Sequence, residues 1–173
     1  MTKTKCALLG AGAVGLSLVA SLAFAQVTIT AECRPRYLFV GETTTCNVYR
    51  NGDNNGVSVQ TTEHQMNVAG PQMIALQYGD QTTYGSVTVY PNLNGDWKDV
   101  GGSATIELVE EVGEPGFHLV VTAANGSTST AVFVNSMTLY ARDWNQYGDI
   151  GNDSDGNLVI KWGNGGLWRK NGP

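Results

Sequence analysis

The sequence predicts an all-β protein, built as an antiparallel sandwich or barrel, and three observations lead to this prediction. Asn-Gly and Asp-Gly pairs, which supply the positive φ angles of tight hairpin turns, recur along the chain. Short runs of alternating apolar and polar residues lie between these turn signals. After Glu32, no segment has the apolar spacing of a convincing amphipathic helix. The turn dipeptides begin at residues 51, 55, 94, 125, 155, 164 and 171.

The N-terminal stretch allows two interpretations. In the first, two lysines precede an apolar run that ends in Ala23-Phe24-Ala25, which is the pattern of a signal peptide cleaved before Gln26. In the second, glycines form GxGxxG after a short apolar strand, with an acidic residue further on, as in dinucleotide-binding sites. The residues of that second pattern are Gly10, Gly12, Gly15 and Glu32. The β-rich remainder offers no further βα alternation, so we expect residues 1–25 to be a signal peptide.

Export has consequences for charge and location. Removal of residues 1–25 takes away two lysines and no acid, so the formal net charge of −5 becomes −7. An acidic chain does not favour nucleic acid as a partner, because nucleic-acid binding calls for a basic patch. No second apolar stretch approaches the length of a membrane span. We therefore expect a secreted protein, in the extracellular space or at the cell surface.

Strand patterns follow in order along the chain. The stretch 103–111 could also form a short helix, but its alternation and its Thr and Val content favour a strand. Around 116–141 an Asn-Gly turn joins two alternating segments, and Asn135-Ser136 interrupts the second one, which predicts a bulge. The predicted strands lie at 57–64, 72–78, 86–90, 103–111, 116–124 and 130–141.

The expected mature chain keeps two cysteines, Cys33 and Cys46. Alternation places Cys33 on the apolar face of its segment and Cys46 on the apolar face of the next one. An even pair in an exported chain indicates a disulfide. We predict a structural Cys33–Cys46 bond.

Two segments resemble a known family. VGEPGFHLVVTAANGSTSTAVFV is similar to the closing strand pair of bacterial immunoglobulin-like and fibronectin-like secreted surface domains. ITAECRPRYLFVGETTTCNVY is similar to their opening strands, with a kink at Pro35 and Gly41. The resemblance implies an antiparallel immunoglobulin-like β-sandwich over 26–141. The cysteines depart from the antibody pattern, since the bond would join the first two strands.

The composition changes after Ala141. Residues 142–173 are rich in Gly and Asn and contain three of the four tryptophans. LVIKW and LWRK flank a GNGG turn, which predicts a C-terminal β-hairpin extension on the sandwich. A lone hairpin is marginal in water, so it has to pack on the sandwich or on a neighbouring molecule.

Aromatic, acidic and Asn residues of the second half are candidates for binding sites. Trp144, Trp162 and Trp168, with Tyr140 and Tyr147, could form a carbohydrate platform, or they could simply bury area in the core. Alternating oxygen ligands at Asp149, Asp153, Asp155 and Asn157 resemble part of a calcium loop. The loop lacks an acidic first ligand and the bidentate glutamate, so a solvated turn is the alternative. Asn125 and Asn152 begin N-glycosylation acceptor motifs.

Catalytic motifs are missing from the sequence. His64 and His118 are the two histidines, and neither belongs to a metal-binding or nucleophile motif. We therefore expect a protein that is not an enzyme and has no cofactor, except for the calcium suggested by the acidic turn.

Two functions fit the predicted properties. The first is a structural subunit of an extracellular fibre or matrix, or a small adhesin, that assembles with itself or with other cell-surface components. Strand addition through 27–31 or 158–162 would join the copies. The second is a secreted carbohydrate-binding module, with or without calcium, whose partners are glycans.

Overall fold

The computed structural model describes residues 27–51, 57–111 and 116–172, and these residues form fourteen β-strands. The predicted signal peptide (1–25) and the three glycines of the dinucleotide pattern lie outside the described residues. Among the described residues no helix is long and apolar enough to cross a membrane. The all-β prediction is confirmed.

The first six strands form two small sheets. One has the order β1-β3-β4 and the other the order β2-β6-β5, with β2 parallel to β6. Pro35 lies between β1 and β2, at the point where the chain passes from one sheet to the other. These strands are β1 (Ile29–Arg34), β2 (Tyr37–Phe39), β3 (Thr43–Arg50), β4 (Gln60–Gln65), β5 (Gly70–Tyr78) and β6 (Gln81–Tyr90).

The two sheets pack face to face around a buried disulfide. Cys33 of β1 and Cys46 of β3 are direct cross-strand partners, and their sulfur atoms are bonded. The bond is buried among aliphatic side chains of both sheets, and the backbone of Gly85 in β6 lies directly against Cys33 Sγ. The predicted disulfide is confirmed. We call this region the N-terminal sheets.

The remaining eight strands form a closed antiparallel barrel. Each strand pairs with the next along the chain, and the last strand pairs with the first through Arg169 opposite Lys98 and Lys170 opposite Trp97. The strands are β7 (Gly95–Asp99), β8 (Gly102–Glu110), β9 (Phe117–Thr122), β10 (Thr128–Asn135), β11 (Thr138–Ala141), β12 (Gln146–Asn152), β13 (Leu158–Trp162) and β14 (Leu167–Lys170).

The predicted immunoglobulin-like sandwich with a hairpin extension is therefore wrong. The segments that resemble its opening and closing strands lie in different sheets, since β1 and β3 belong to the N-terminal sheets while β9 and β10 belong to the barrel. The β13–β14 hairpin exists, but it is part of the barrel wall. Alternating short strands are typical of both architectures, and only the long-range pairing of β14 with β7 distinguishes them.

The barrel interior is filled by side chains, as expected for a barrel of eight strands. Trp97 is fully buried at its centre, and its Nε1 donates a hydrogen bond of 2.9 Å to the carbonyl oxygen of Leu93. The barrel core comprises Leu93, Trp97, Ala104, Ile106, Leu119, Val121, Ala131, Leu139, Ala141, Ile150, Ile160, Trp162 and Trp168.

An aromatic cluster joins the N-terminal sheets to one end of the barrel. The ring of Phe39 lies 4.9 Å from that of Phe117, and the ring of Tyr90 lies 4.4 Å from that of Phe133. Phe117 begins β9 and Phe133 lies late in β10, so both mark the same end of the barrel. The opposite end points away from the N-terminal sheets.

Candidate ligand-binding site at the barrel mouth

Four hairpin turns surround the end of the barrel that faces away from the N-terminal sheets. Strand direction alternates around the barrel, so every second turn lies at this end. The turns span residues 100–101, 123–127, 142–145 and 163–166. We call this end the mouth.

Three of the four tryptophans meet at the mouth. Trp162 of β13 and Trp168 of β14 point into the barrel and are 6% and 3% exposed, while Trp144 in the β11–β12 turn is half-buried. Their ring centroids are 5.3–6.1 Å apart and their planes are inclined by 70–74°, which is edge-to-face packing. Rings in this arrangement do not form a flat platform. They form the back of a pocket, in which Trp144 is the most accessible.

The pocket is a cavity of about 680 Å³ that opens at the mouth. All four turns contribute to its wall, and the packed core closes it below. Its lining combines the three indoles with small and polar residues, which is the usual composition of a small-molecule site. The other lining residues are Asp99, Gly101, Ala123, Ala124, Asn125, Ser127, Gln146, Asn164, Gly165 and Gly166.

One indole N–H at this site has no partner. The Nε1 atom of Trp162 is buried and has no hydrogen-bond acceptor among the described residues. Two glycines lie beside the indole. A Cβ at Gly148 would overlap its benzo edge, whereas Gly166, in the wall of the cavity, lies beside Cδ1, the atom next to Nε1. The edge of the ring that carries the unpaired donor therefore lies on the side of Gly166 and the cavity wall, and leaving the donor unpaired costs free energy.

The rim amides also present donors. Asn125 Oδ1 accepts a hydrogen bond of 3.0 Å from the backbone N–H of Ser127, and Asn164 Oδ1 accepts one of 2.9 Å from that of Gly166. These Asx turns occupy the oxygen of each amide and leave its Nδ2 group to donate. Asp99 is the one charged side chain among the described residues that line the cavity.

Comparison with protein-family models, with curated proteins and with solved structures finds no match to this chain. The resemblance to bacterial immunoglobulin-like surface domains is therefore not tested by relatives. The function has to be inferred from the geometry of the molecule.

Tyr147, another predicted platform residue, lies outside the mouth. Its side chain is 56% exposed on the outer surface of β12, and its ring packs on that of Tyr140 at 4.8 Å. The sequence pattern identified the three mouth tryptophans. It did not identify Asp99, Asn164 or Gln146, whose shared signal is that they lie in or next to alternate hairpin turns.

The predicted calcium residues lie towards the opposite end of the barrel. Asp149 is on β12, where Thr138 Oγ1 donates to it at 3.4 Å, and Asp155 is an exposed turn residue. Within the part of the chain that the structure describes, no three His, Cys, Asp or Glu side chains are grouped so that they could hold a metal ion. Calcium binding stays a prediction.

Asp153 stabilises the β12–β13 turn. Its Oδ1 accepts hydrogen bonds of 3.0 Å from the backbone N–H groups of Asp155 and Asn157, and its Oδ2 accepts one of 3.1 Å from Arg169 Nε. Burial alone would raise the pKa of this carboxyl. The hydrogen bonds from Asn157, Asp155 and Arg169 outweigh burial and hold its pKa below the ordinary value.

The two predicted glycosylation sites lie at opposite ends of the barrel. Asn125 is on the rim of the mouth, whereas Asn152 ends β12 and lines a second cavity, of about 800 Å³, between the barrel and the N-terminal sheets. Lys170 also lines this second cavity, and its Nζ donates to the carbonyl oxygen of Asn92 at 2.8 Å. Glycosylation at either asparagine stays a prediction.

The histidines lie in separate regions. His64 in β4 contacts Thr62 Oγ1 at 2.9 Å, and His118 Nδ1 in β9 lies 2.5 Å from Glu111 Oε1. Glu32, which the dinucleotide pattern would place on a ribose, forms ion pairs with Arg34 at 2.6 Å and Arg36 at 3.3 Å. The hydrogen bond from Arg34 is the main reason that the pKa of Glu32 is lowered.

Proposed function

We propose that the protein is a non-catalytic, extracellular carbohydrate-binding protein whose mouth is the binding site. The observation that carries this proposal is the meeting of Trp144, Trp162 and Trp168 at the open end of a closed barrel. Large aromatic surfaces beside a few oriented polar groups suit a saccharide, which has apolar C–H faces and polar hydroxyls.

Closure of the barrel supports this proposal. The strands below the mouth have hydrogen-bonded partners on both sides, so the four turns are held by a continuous ladder. A site held on rigid elements loses less conformational entropy when it binds a ligand. The Cys33–Cys46 disulfide is also compatible with an oxidising, extracellular location.

Trp144→Ala tests the site with little damage to the core, because Trp144 is the least buried of the three mouth indoles. We expect it to weaken saccharide binding about tenfold or more, since it removes the most accessible aromatic surface. The measurement is calorimetric titration of wild type and variant with a panel of neutral saccharides.

Tyr147→Ala is the matched control, since it removes an exposed aromatic ring outside the mouth. We expect this variant to bind as the wild type does. Equal losses in the two variants, or no binding by the wild type across the panel, would contradict a binding site at the mouth.

Self-assembly is a second candidate function, and the open edges of the N-terminal sheets favour it. Strand β1 is an edge strand of one sheet, and β5 is an edge strand of the other. An edge of this kind can accept a strand from another copy. Beside the β5 edge, two large apolar side chains lie on the outer face of the sheet: Met73 of β5 is 69% exposed and Tyr84 of β6 is 58% exposed.

Residues 27–31 are the segment on which to test assembly. The alternative segment, 158–162, is β13, which is paired on both sides, so deletion of 157–173 would open the barrel. We expect electron microscopy to show filaments that disappear on deletion of 27–31 while tryptophan fluorescence keeps its folded spectrum. Filaments formed equally by the deleted protein would exclude this strand from assembly.

A further inference from the structure

We propose that the mouth binds the terminal, uncharged residue of a glycan end-on, with an oxygen of that residue accepting a hydrogen bond from Trp162 Nε1. This inference rests on the proposed function and makes its ligand more specific. Three observations carry it: the shape of the cavity, the unpaired indole donor, and the charge of the lining.

The shape of the cavity favours a chain end. Four turns surround the cavity and the barrel core closes it below, so a polymer has no path through it. An internal residue of a chain has neighbours on both sides, which would have to cross the ring of turns. A terminal residue has one neighbour and can enter while the rest of the chain leaves through the opening.

The hydrogen-bonding groups favour a ligand that presents acceptors. Trp162 Nε1 is buried without a partner, and the Nδ2 groups of Asn125 and Asn164 remain to donate. Hydroxyl, ring and acetamido carbonyl oxygens of a saccharide can accept from all three. The buried donor is the selective one, because a ligand that fails to reach it leaves it unpaired.

The charge of the lining disfavours acidic sugars. Asp99 contributes the one formal charge among the described lining residues, and no lysine or arginine of the described chain lines the cavity. A carboxylate or sulfate in this cavity would face a like charge with no cation to compensate it. We therefore assign neutral terminal residues to the mouth and exclude uronates.

The first experiment compares matched ligands. Calorimetric titrations of the full chain would use methyl glycosides of neutral hexoses and of their N-acetylamino forms, each hexose paired with its own uronide. We expect each hexoside to bind at least about tenfold more tightly than its uronide. We also expect linear oligosaccharides to bind more tightly than cyclic ones of the same sugar, which have no chain end.

Asp99→Asn tests the source of the charge selection. We expect it to reduce the ratio of hexoside to uronide affinity about tenfold, because it removes the charge and keeps the shape. Asp96→Asn is the matched control, since Asp96 lies on the same strand but does not line the cavity. This control should leave the ratio unchanged.

The indole hydrogen bond has its own readout. In the spectrum of ¹⁵N-labelled indoles, we expect a bound neutral glycoside to shift the Trp162 N–H signal and to leave that of Trp97, already bonded to Leu93, unchanged. Trp162→Phe removes the donor and should weaken binding about three- to tenfold. A Trp162 signal that does not move on binding would overturn this contact, whether or not the variant folds.

The remaining outcomes separate the two proposals. Equal binding of hexosides and uronides overturns the charge selection, and equal binding of cyclic and linear oligosaccharides overturns end-on entry. Either result leaves carbohydrate binding at the mouth intact. Absence of binding by every saccharide overturns the proposed function and this inference together.

Discussion

The N-terminal sheets and the barrel reach stability in different ways. In the barrel each strand has two partners, so hydrogen bonding closes the structure and leaves no edge. The N-terminal sheets are two open sheets of three strands, and a buried disulfide joins β1 to β3 at their centre. Small open sheets bury little apolar area, and a covalent cross-link offsets this deficit. The comparison indicates that closure of the hydrogen-bonded ladder stabilises the barrel, and that the disulfide stabilises the N-terminal sheets, which have no such closure.

A glycine permits the close packing in both regions. Gly85 of β6 leaves room for Cys33 Sγ, and a Cβ at Gly148 of β12 would lie 2.8 Å from Ile160 Cγ2 and 2.9 Å from Trp162 Cε3. One glycine therefore accommodates the disulfide and the other an indole of the mouth. Alanine at Gly148 would disturb the proposed site directly.

The largest effect is expected from Trp97→Ala, which removes the centre of the barrel core. Loss of a fully buried tryptophan should lower the free energy of unfolding by about 4 kcal/mol. The measurement is urea unfolding followed by far-UV circular dichroism. Trp144→Ala is the control, and its free energy of unfolding should fall much less. A loss below about 1 kcal/mol for Trp97→Ala would show that the buried Trp97 side chain is not needed for the stability of the barrel.

Removal of the disulfide should have the next largest effect. In the double variant Cys33→Ala, Cys46→Ala, a loop with a sequence separation of 13 residues is no longer closed, which costs about 3 kcal/mol. We expect faster amide hydrogen exchange in β1 and β3 than in the wild type. All four tryptophans lie in the barrel, so the unfolding transition followed by tryptophan fluorescence should shift less. If the variant destabilised the barrel strands as much as β1 and β3, the two regions would unfold as one cooperative unit.

The smallest effect is expected from Asp153→Asn, and it should depend on pH. The folded state lowers the pKa of Asp153 below its ordinary value of 3.8. Its stabilising contribution is therefore complete above that value and is lost as the pH falls through the lower, folded-state pKa. The variant should be less stable than the wild type at neutral pH, and the difference should vanish in acid. Denaturant unfolding at a series of pH values measures this, and a difference that stays constant into acid would mean that ionisation of Asp153 is not involved.

The local features of this fold were predictable from the sequence, and its closure was not. Alternation and turn dipeptides predicted most of the strands but not β7 or β12, and they favoured a strand over a helix at 103–111, where β8 spans Gly102–Glu110. The predicted single strand at 130–141 is wrong, because the chain turns at Ser136 and Met137 and forms two paired strands, β10 and β11, with a register shift between Phe133 and Asn135. These signals involve neighbours in the chain. The pairing of Arg169 with Lys98 joins distant segments, and no residue pattern marks it. The choice between sandwich and barrel therefore stayed open until a resemblance favoured the wrong one.

The candidate site was predictable in its residue types but not in its arrangement. Trp144, Trp162 and Trp168 are conspicuous in the sequence, but their edge-to-face contacts depend on barrel closure. Tyr147 has the same aromatic character but points outwards. It lies one position before Gly148, which faces the interior of the barrel, and successive residues of a strand face opposite sides. Asp99 and Asn164 lie far apart in the chain, and the alternation of turns brings them to the same rim.

The four turns at the mouth are the segments of this molecule in which insertions and substitutions should be tolerated best. They connect strands whose pairing does not depend on them, and doubling the length of a loop costs only about 0.6 kcal/mol in closure entropy. Insertions or new side chains at 123–127 or 163–166 would therefore change what the rim recognises while the wall stays the same. A chain built in this way can diversify its ligands through loop variation, as immune receptors do, and it offers four adjacent positions for a randomised binding library.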